Sequence, residues 1–529
     1  MRRLALPIAG LVVTAVAVSP AAALLVRVLQ EPGIAWEVLA SPREWEFLGR
    51  SVLLATMVAV TSMFFGALSA WCIVRIALPR IMQVALMVLL CLPLAIPSYV
   101  ATFGIIVATG PNGLLGGWLP TGFHLRDHPT FSAWAVLSSC TMPYVFLIVR
   151  SAMLRECGSL EEAALGLGSG RLRAFLRITL PRITPAALWG GLLAALYTLA
   201  DFGAVSMLGY QSLTWAIYAR YNMAYGIEEA RVLAVMLGVA GLCIILLMRS
   251  FRARNLGTVA ATHQPHTRHT PGPLTLGAMV LILLPVAVAV VLPVATSVQW
   301  AFPDGGASAG SWVNVLQPAW NTVMLAMISA LVVILLALPI AGLEISRHRR
   351  TAQLLAGITL LGFALPGLVV AVGMVSLALS LDEALDLVFQ GARRNYIYQT
   401  LLVLIGAYAA LFLPEGVGPL RNAAAQIHHE QIDAARQLEP SVWRRWRRIV
   451  LPQLVPGAVA GAALVFVTTA RELPATLILR PANFETLATR IWSDMEDVVF
   501  EQAAVNSLAL IAVCAAGLAV VFSAERHVR

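Results

Sequence analysis

The chain is divided into about a dozen apolar runs of 20 or more residues, and this pattern decides most of what it can fold into. A run of that length, wound as an α-helix at ~1.5 Å per residue, crosses the ~30 Å hydrocarbon layer of a bilayer. The runs lie at about residues 5–28, 51–74, 82–108, 131–153, 185–208 and 230–249, then 274–297, 322–345, 353–380, 399–420, 456–479 and 505–523. The short stretches between them leave no room for a sizeable soluble domain. Of the 529 residues, 59% are hydrophobic and 12% charged, against roughly 25% charged in an average soluble protein. The expected fold class is therefore an all-α polytopic membrane protein with about 12 transmembrane helices. A soluble enzyme, a disulfide scaffold and a nucleic-acid partner do not fit this pattern.

All 36 basic residues are Arg, and no Lys occurs anywhere. A Walker A loop needs a Lys on the nucleotide phosphates, and a pyridoxal phosphate enzyme needs a Schiff-base Lys. The chain is thus read as no enzyme, with no cofactor of its own, and any ATP would be used by partner subunits. The net charge of +9 is read as topology rather than as an anionic partner. Two loops concentrate the Arg: Arg150, Arg155, Arg171, Arg173, Arg177 and Arg182 in one, and Arg421, Arg436, Arg444, Arg445, Arg447 and Arg448 in the other. The positive-inside rule puts both loops and both termini in the cytoplasm. Arg2 and Arg3 before the first run, and Ala21 to Ala23 near its end, imitate a signal peptide. A matching run opens the second half, where no signal can stand, so the first run is expected to be a retained span. The six Cys show no metal-ligand spacing, and no His falls within an expected span.

The two halves repeat each other. At a constant offset of 271 residues, Pro143 pairs with Pro414, Leu180-Pro181 with Leu451-Pro452, Pro185 with Pro456 and Asp201 with Glu472. Two six-span units in the same orientation, fused head to tail, explain this most simply. The expected domains are residues 1–250 and 274–529, joined by a polar, Pro- and Gly-rich cytoplasmic linker at 251–273. His263, His266 and His269 are read as part of that linker rather than as a metal site.

The same offset relates two cytoplasmic motifs. In the loop at 154–184, Glu162-Ala163-Ala164 is followed by Gly168, Phe175, Ile178 and Leu180-Pro181; in the loop at 421–455, Asp433-Ala434-Ala435 is followed by Trp446, Ile449 and Leu451-Pro452. Ser159 and Glu162 have capping-box spacing for a short helix. Ala163 and Ala164 leave one helix face slim enough for another protein to approach. Gly168 suits a helix-ending positive φ. Pro181 and Pro185 are expected to break the chain before it re-enters the bilayer. The second copy has Glu439-Pro440 in place of Gly168-Ser169, so its turn cannot use glycine. Arg444, Arg445, Arg447 and Arg448 around Trp443 and Trp446 suit either membrane lipids or simple topology control.

These paired loops resemble the EAA loop of ABC-importer permeases. The resemblance implies a type I-like importer fold, with coupling helices that dock on two cytoplasmic ABC ATPase subunits. A bacterial inner-membrane location comes with it.

Ionisable groups within spans are costly, about 2.5–3.5 kcal/mol at mid-helix, and so are candidates for function. Asp201 and Glu472 occupy equivalent places in the fifth span of each half. They suit a cation path; equally, they suit neutralised structural groups, with Arg471 available to pair with Asp201. The stretch from Glu472 to Ala504 carries Glu-Leu-Pro, Thr-Leu, Arg-Pro and Thr-Leu-Ala before a Trp. It resembles ferric-iron importer permeases, which implies delivery of substrate by a periplasmic binding protein. Thiamine importers share the fused layout and are the alternative. A proton-coupled secondary transporter is a weaker one, because the spans offer few acids and no His.

Overall fold

The computed structural model describes the chain except residues 1–4, 119, 121–123, 156–158, 224–225, 256–271, 303–311, 346–348, 360–361, 363–364, 390–395, 429, 433–436, 438–440 and 529. Every regular element among the described residues is a helix. They include α1 (Ala5–Gln30), α2 (Pro42–Arg75), α3 (Arg80–Cys91), α4 (Ser98–Ala108), α5 (Pro129–Arg155), α6 (Ser159–Gly166), α7 (Leu180–Ala200), α8 (Ile227–Asn255), α9 (Pro273–Val286), α10 (Leu292–Ala301), α11 (Leu316–Ile345), α12 (Arg349–Thr359), α13 (Gly367–Phe389), α14 (Leu401–Ala425), α15 (Leu451–Ala470) and α16 (Phe500–Val528). Among the described residues, eleven helices are long and apolar enough to cross a membrane, or twelve when a bent pair is taken as one span. The fold class read from the sequence is the one found.

Several boundaries differ from the sequence expectation. The run at 82–108 is not one rod: α3 and α4 meet at 95°, joined by a 3-10 turn at Leu92–Ala95. Pro93 lies within that turn and Pro97 directly before α4, and neither can donate to a helical ladder. The run at 353–380 likewise divides into α12 and α13, with Pro366 directly before α13. The linker expected from residue 251 begins later, since α8 continues to Asn255; His263, His266 and His269 lie outside the described residues.

The fifth and eleventh spans start well before residues 185 and 456. Each opens with a π-helical turn, Phe175–Thr179 and Trp446–Val450, that runs straight into α7 or α15. Pro181 and Pro185 therefore do not break the chain. A proline ring collides with the carbonyl four residues back. The wide turn sidesteps this: Leu180 donates to Phe175, and Leu451 to Trp446, five residues back in both cases. At their far ends these spans stop at Asp201 and Arg471, not at 208 and 479, and short helices Gly203–Met207 and Pro474–Leu479 follow.

Packing does not follow chain order. One compact unit comprises Met1–Ser41, Ile217–Gly238 and Ala301–Arg529; the other comprises Pro42–Ala216 and Val239–Trp300. The domains expected at 1–250 and 274–529 follow chain order, whereas the helix that opens each packs in the unit built mainly from the other. In the first unit, Val13 and Ala17 of α1 join a core with Val333, Leu413, Leu454 and Val465. In the second, Ile282 and Val286 of α9 join a core with Ile73, Met142 and Val149. The same contact seats both exchanged helices. Gly373 of α13 lies against Pro20 of α1, and Gly104 of α4 against Pro293 of α10. A glycine on one helix lets the other's backbone come close, in each unit alike.

Candidate functional site

The first of the two Arg-rich loops folds into α6, which ends as its glycine predicts. Gly168 has φ +85°, Ser169 N–H donates to Ala164 O at 2.9 Å, and Gly168 N–H donates to Leu165 O at 3.0 Å. This is the Schellman closure, which satisfies carbonyls that the end of a helix leaves free. The side chains of Ser159 and Glu162, and with them the capping box, lie outside the described residues. Ala163 is exposed and Ala164 half-buried, so the slim face is open. Leu167, at the end of α6, is 89% exposed. The sequence reading passed it over, although Leu438 repeats it at the same offset of 271. The turn Arg171–Ala174 leads into the π-helical turn and α7, where Leu180 and Pro181 are exposed and Ile183 is buried.

Asp433, Ala434 and Ala435 of the second loop, with Glu439 and Pro440, lie outside the described residues. The segment from Val442 onward repeats the first loop: Val442–Arg445, the π-helical turn, then exposed Leu451 and Pro452. Trp446 packs against the core of its unit, while Trp443 is 74% exposed.

The two intramembrane acids occupy matching positions where long spans break. Asp201 ends α7 with extended backbone, and its Oδ1 accepts the Ala204 N–H at 2.9 Å. Glu472 follows α15, and its Oε1 accepts the Ala475 N–H at 3.2 Å. The Ser98 hydroxyl donates to Asp201 Oδ2. Arg471 caps α15 and interacts electrostatically with Glu415. The sequence reading missed Glu415, a third acid within an apolar span. Its carboxylate accepts the Thr468 hydroxyl at 2.7 Å. The signal was in the repeat: Glu415 and Thr468 align with Tyr144 and Tyr197, whose rings lie 5.8 Å apart. One pair of sites thus holds an aromatic contact in one half and a carboxylate–hydroxyl contact in the other.

The segment from Glu472 to Ala504 is a chain of capped turns. Asn483 has φ 63°, and Thr486 caps Leu487–Glu496 in a box with Thr489. The Leu487 N–H donates to Thr322 of α11 at 2.8 Å, as the Leu213 N–H donates to Ser51 of α2 at 2.8 Å in the other repeat. Glu485 lies 3.5 Å from Arg480 and 3.1 Å from Arg490, which also reaches Asp494 at 3.1 Å. Burial pushes the Asp494 carboxyl up to about 6, against the opposing pull of Arg490 and Asn506. Thr486→Ala removes the cap and is expected to lower stability by about 1 kcal/mol, read as a lower melting temperature in detergent. Thr486→Ser is expected to retain it.

Comparison with known proteins fits this geometry. Residues 52–255 and 333–529 each match the family described as binding-protein-dependent transport system inner membrane component. The Fe(3+)-transport system permease protein FbpB 2 of Haemophilus influenzae is 27% identical over 487 residues, covering 90% of this chain and 89% of that protein. The ferric transport system permease protein FbpB of Actinobacillus pleuropneumoniae is 24% identical over 483 residues, 85% of this chain and 67% of that one. The molybdenum transport system permease protein ModB of Escherichia coli is 33% identical over 172 residues, 32% of this chain and 72% of that one.

Proposed function

The chain belongs to the family of inner membrane components of binding-protein-dependent transport systems, and on that premise we propose that it moves ferric iron inward by alternating access. The work is mechanical. Two separate ATPase subunits grip the paired inner loops, and a binding protein delivers iron on the opposite side, with both termini of the chain cytoplasmic. The chain contributes no nucleotide site; the lack of any Lys supports this reading. Iron is favoured over molybdate because the two ferric permeases align over most of the chain and the molybdenum permease over a third.

One observation carries the reading: α6, closed by Gly168 and bearing exposed Leu167, is followed by a helix that runs from Arg171 through the π-helical turn into α7 without a break. A push on the loop is therefore delivered to the interior of the membrane by one rod. The residues proposed to bear that push are Glu162, Ala163, Ala164, Gly168, Leu180 and Pro181 in the first loop, and Asp433, Ala434, Ala435, Leu451 and Pro452 in the second.

The test is transport by the reconstituted complex. Vesicles holding this chain with its ATPase, supplied with iron-loaded binding protein, are expected to accumulate radiolabelled ferric iron only when ATP is present on the ATPase side. Accumulation of thiamine with no iron signal would reassign the substrate. Uptake without ATP, or driven by a proton gradient, would remove the importer reading.

A further inference from the structure

The two intramembrane acids differ in length, and so do the residues facing them. In one repeat the acid is Asp201, and Ser98 reaches it with a hydroxyl. In the other it is Glu472, one methylene longer, and the residue facing it is Gly367. A Cβ at Gly367 would fall on Glu472 Oε1 and stand 3.3 Å from its carboxyl carbon, so the longer acid fills the space that a serine side chain would need. The backbone setting is the same in both. Ser98 opens α4 directly after Pro97, and Gly367 opens α13 directly after Pro366. Each acid also caps the short helix after its own span, through Ala204 or Ala475. Their carbonyls are held too, Asp201 O by the Thr214 hydroxyl at 2.8 Å and Glu472 O by the Thr476 hydroxyl at 2.7 Å. A short acid with a serine, or a long acid with a glycine, spans the same gap.

From this reciprocal matching we infer that Ser98–Asp201 and Gly367–Glu472 are equivalent mechanical joints, and that Ser98 and Gly367 are positioning residues for transport. The Ser98–Asp201 hydrogen bond ties the far end of α7 to the start of α4, and Glu472, just past the end of α15, packs against Gly367 at the start of α13. The 26 residues from Phe175 to Ala200 form a rod of about 39 Å, with the inner loop at one end and the joint at the other. Movement of the loop then reaches α4 and α13 through the acid. The carboxylates hold helices together in this role and do not ligate the transported ion. The inference rests on the ATP-driven reading above.

The experiment uses the complex reconstituted with its ATPase and binding protein, and reads ATP hydrolysis with and without the iron-loaded binding protein. Gly367→Ser is expected to lower the ratio of stimulated to basal hydrolysis at least tenfold, and adding Glu472→Asp to restore it to within threefold. The reverse exchange, Asp201→Glu with Ser98→Gly, is expected to work better than Asp201→Glu alone. Ser98→Ala introduces no clash, which keeps the test open should Gly367→Ser fail to accumulate. It is expected to reduce the ratio threefold to tenfold while the melting temperature in detergent stays within a few degrees. Paired exchanges no better than the worse single change, or an unaltered ratio in Ser98→Ala, would overturn the joint. A wild-type complex that shows no ATP-dependent response would instead count against the proposed function.

Discussion

A chain carrying Leu at both Gly104 and Gly373 is expected to lose its exchanged helices and to accumulate poorly in the membrane. The geometry leaves little alternative. A Cβ at Gly104 would stand 2.7 Å from Pro293 Cβ and closer still to Pro293 Cα, and one at Gly373 would stand 2.8 Å from the Pro20 carbonyl carbon. These obstacles are backbone or ring atoms, which have no rotamer to swing away. The helices must part, and a parted pair loses its dispersion contacts along the whole seam. Overpacking a well-filled site costs about 1–3 kcal/mol, and a backbone clash belongs at the upper end. Two such sites together approach the whole stability of an ordinary domain, about 5–15 kcal/mol. Gly277→Ala is the matched control, because it lies on α9, part of the same exchanged span, with nothing within 4 Å of its missing Cβ. That change is expected to be neutral or stabilising by up to about 1 kcal/mol. Membrane yield and detergent melting curves of the double variant, of Gly104→Leu alone and of Gly277→Ala provide the check. Equal behaviour of Gly104→Leu and Gly277→Ala would show that the Pro–Gly seam bears no load.

How much of this was legible in the sequence depends on the range of the interaction responsible. Span number and the head-to-tail repeat follow from hydropathy and spacing, which are written along the chain. Gly168 could be assigned its role beforehand because a positive φ is a local requirement. Pro181 was misread because its cost depends on the turn before it, and an i→i+5 turn leaves no compositional trace; Pro185 stands inside α7. The bend between Ala95 and Ser98 was hidden for the opposite reason: its surroundings are as apolar as the rest of the run, so the run looked continuous. The exchange of α1 and α9 was out of reach, since apolar surfaces do not declare which partner they bury against. Asp201 and Glu472 were found as costly charges, but their use became clear only when Ser98 and Gly367 appeared beside them. Glu415 was overlooked because its repeat partner is Tyr144, and a search for matched acids passes over an acid matched to an aromatic ring.

Replacing Leu167 by Asp is expected to release the ATPase from the first loop, and replacing both Glu162 and Asp433 by Ala is expected to cut ATP-driven uptake by more than tenfold. An 89% exposed leucine at the tip of a short helix is unfavourable in water and becomes favourable when a partner covers it. Anchors of this kind lose about 2 kcal/mol or more of binding on truncation, roughly a thirtyfold weaker complex. An added carboxylate, stripped of water by any partner that covers it, costs more. The eight residues of α6 are too few to hold a helix alone, since isolated helices shorter than ~12–15 residues are marginal in water. The Gly168 closure is therefore part of what keeps the anchor in place. Gly168→Val, which puts a β-branched residue at φ +85°, costs roughly 1–2 kcal/mol locally and is expected to weaken ATPase retention without altering the melting temperature of the spans. The two loops should respond unequally, because Glu439-Pro440 cannot form the glycine closure. Leu438→Asp is expected to release less ATPase than Leu167→Asp. Co-purification of the ATPase, measured beside uptake in the same vesicles, separates lost docking from lost transport. Full ATPase retention in the Leu167→Asp, Leu438→Asp double variant would place the grip of the motor somewhere other than these loops.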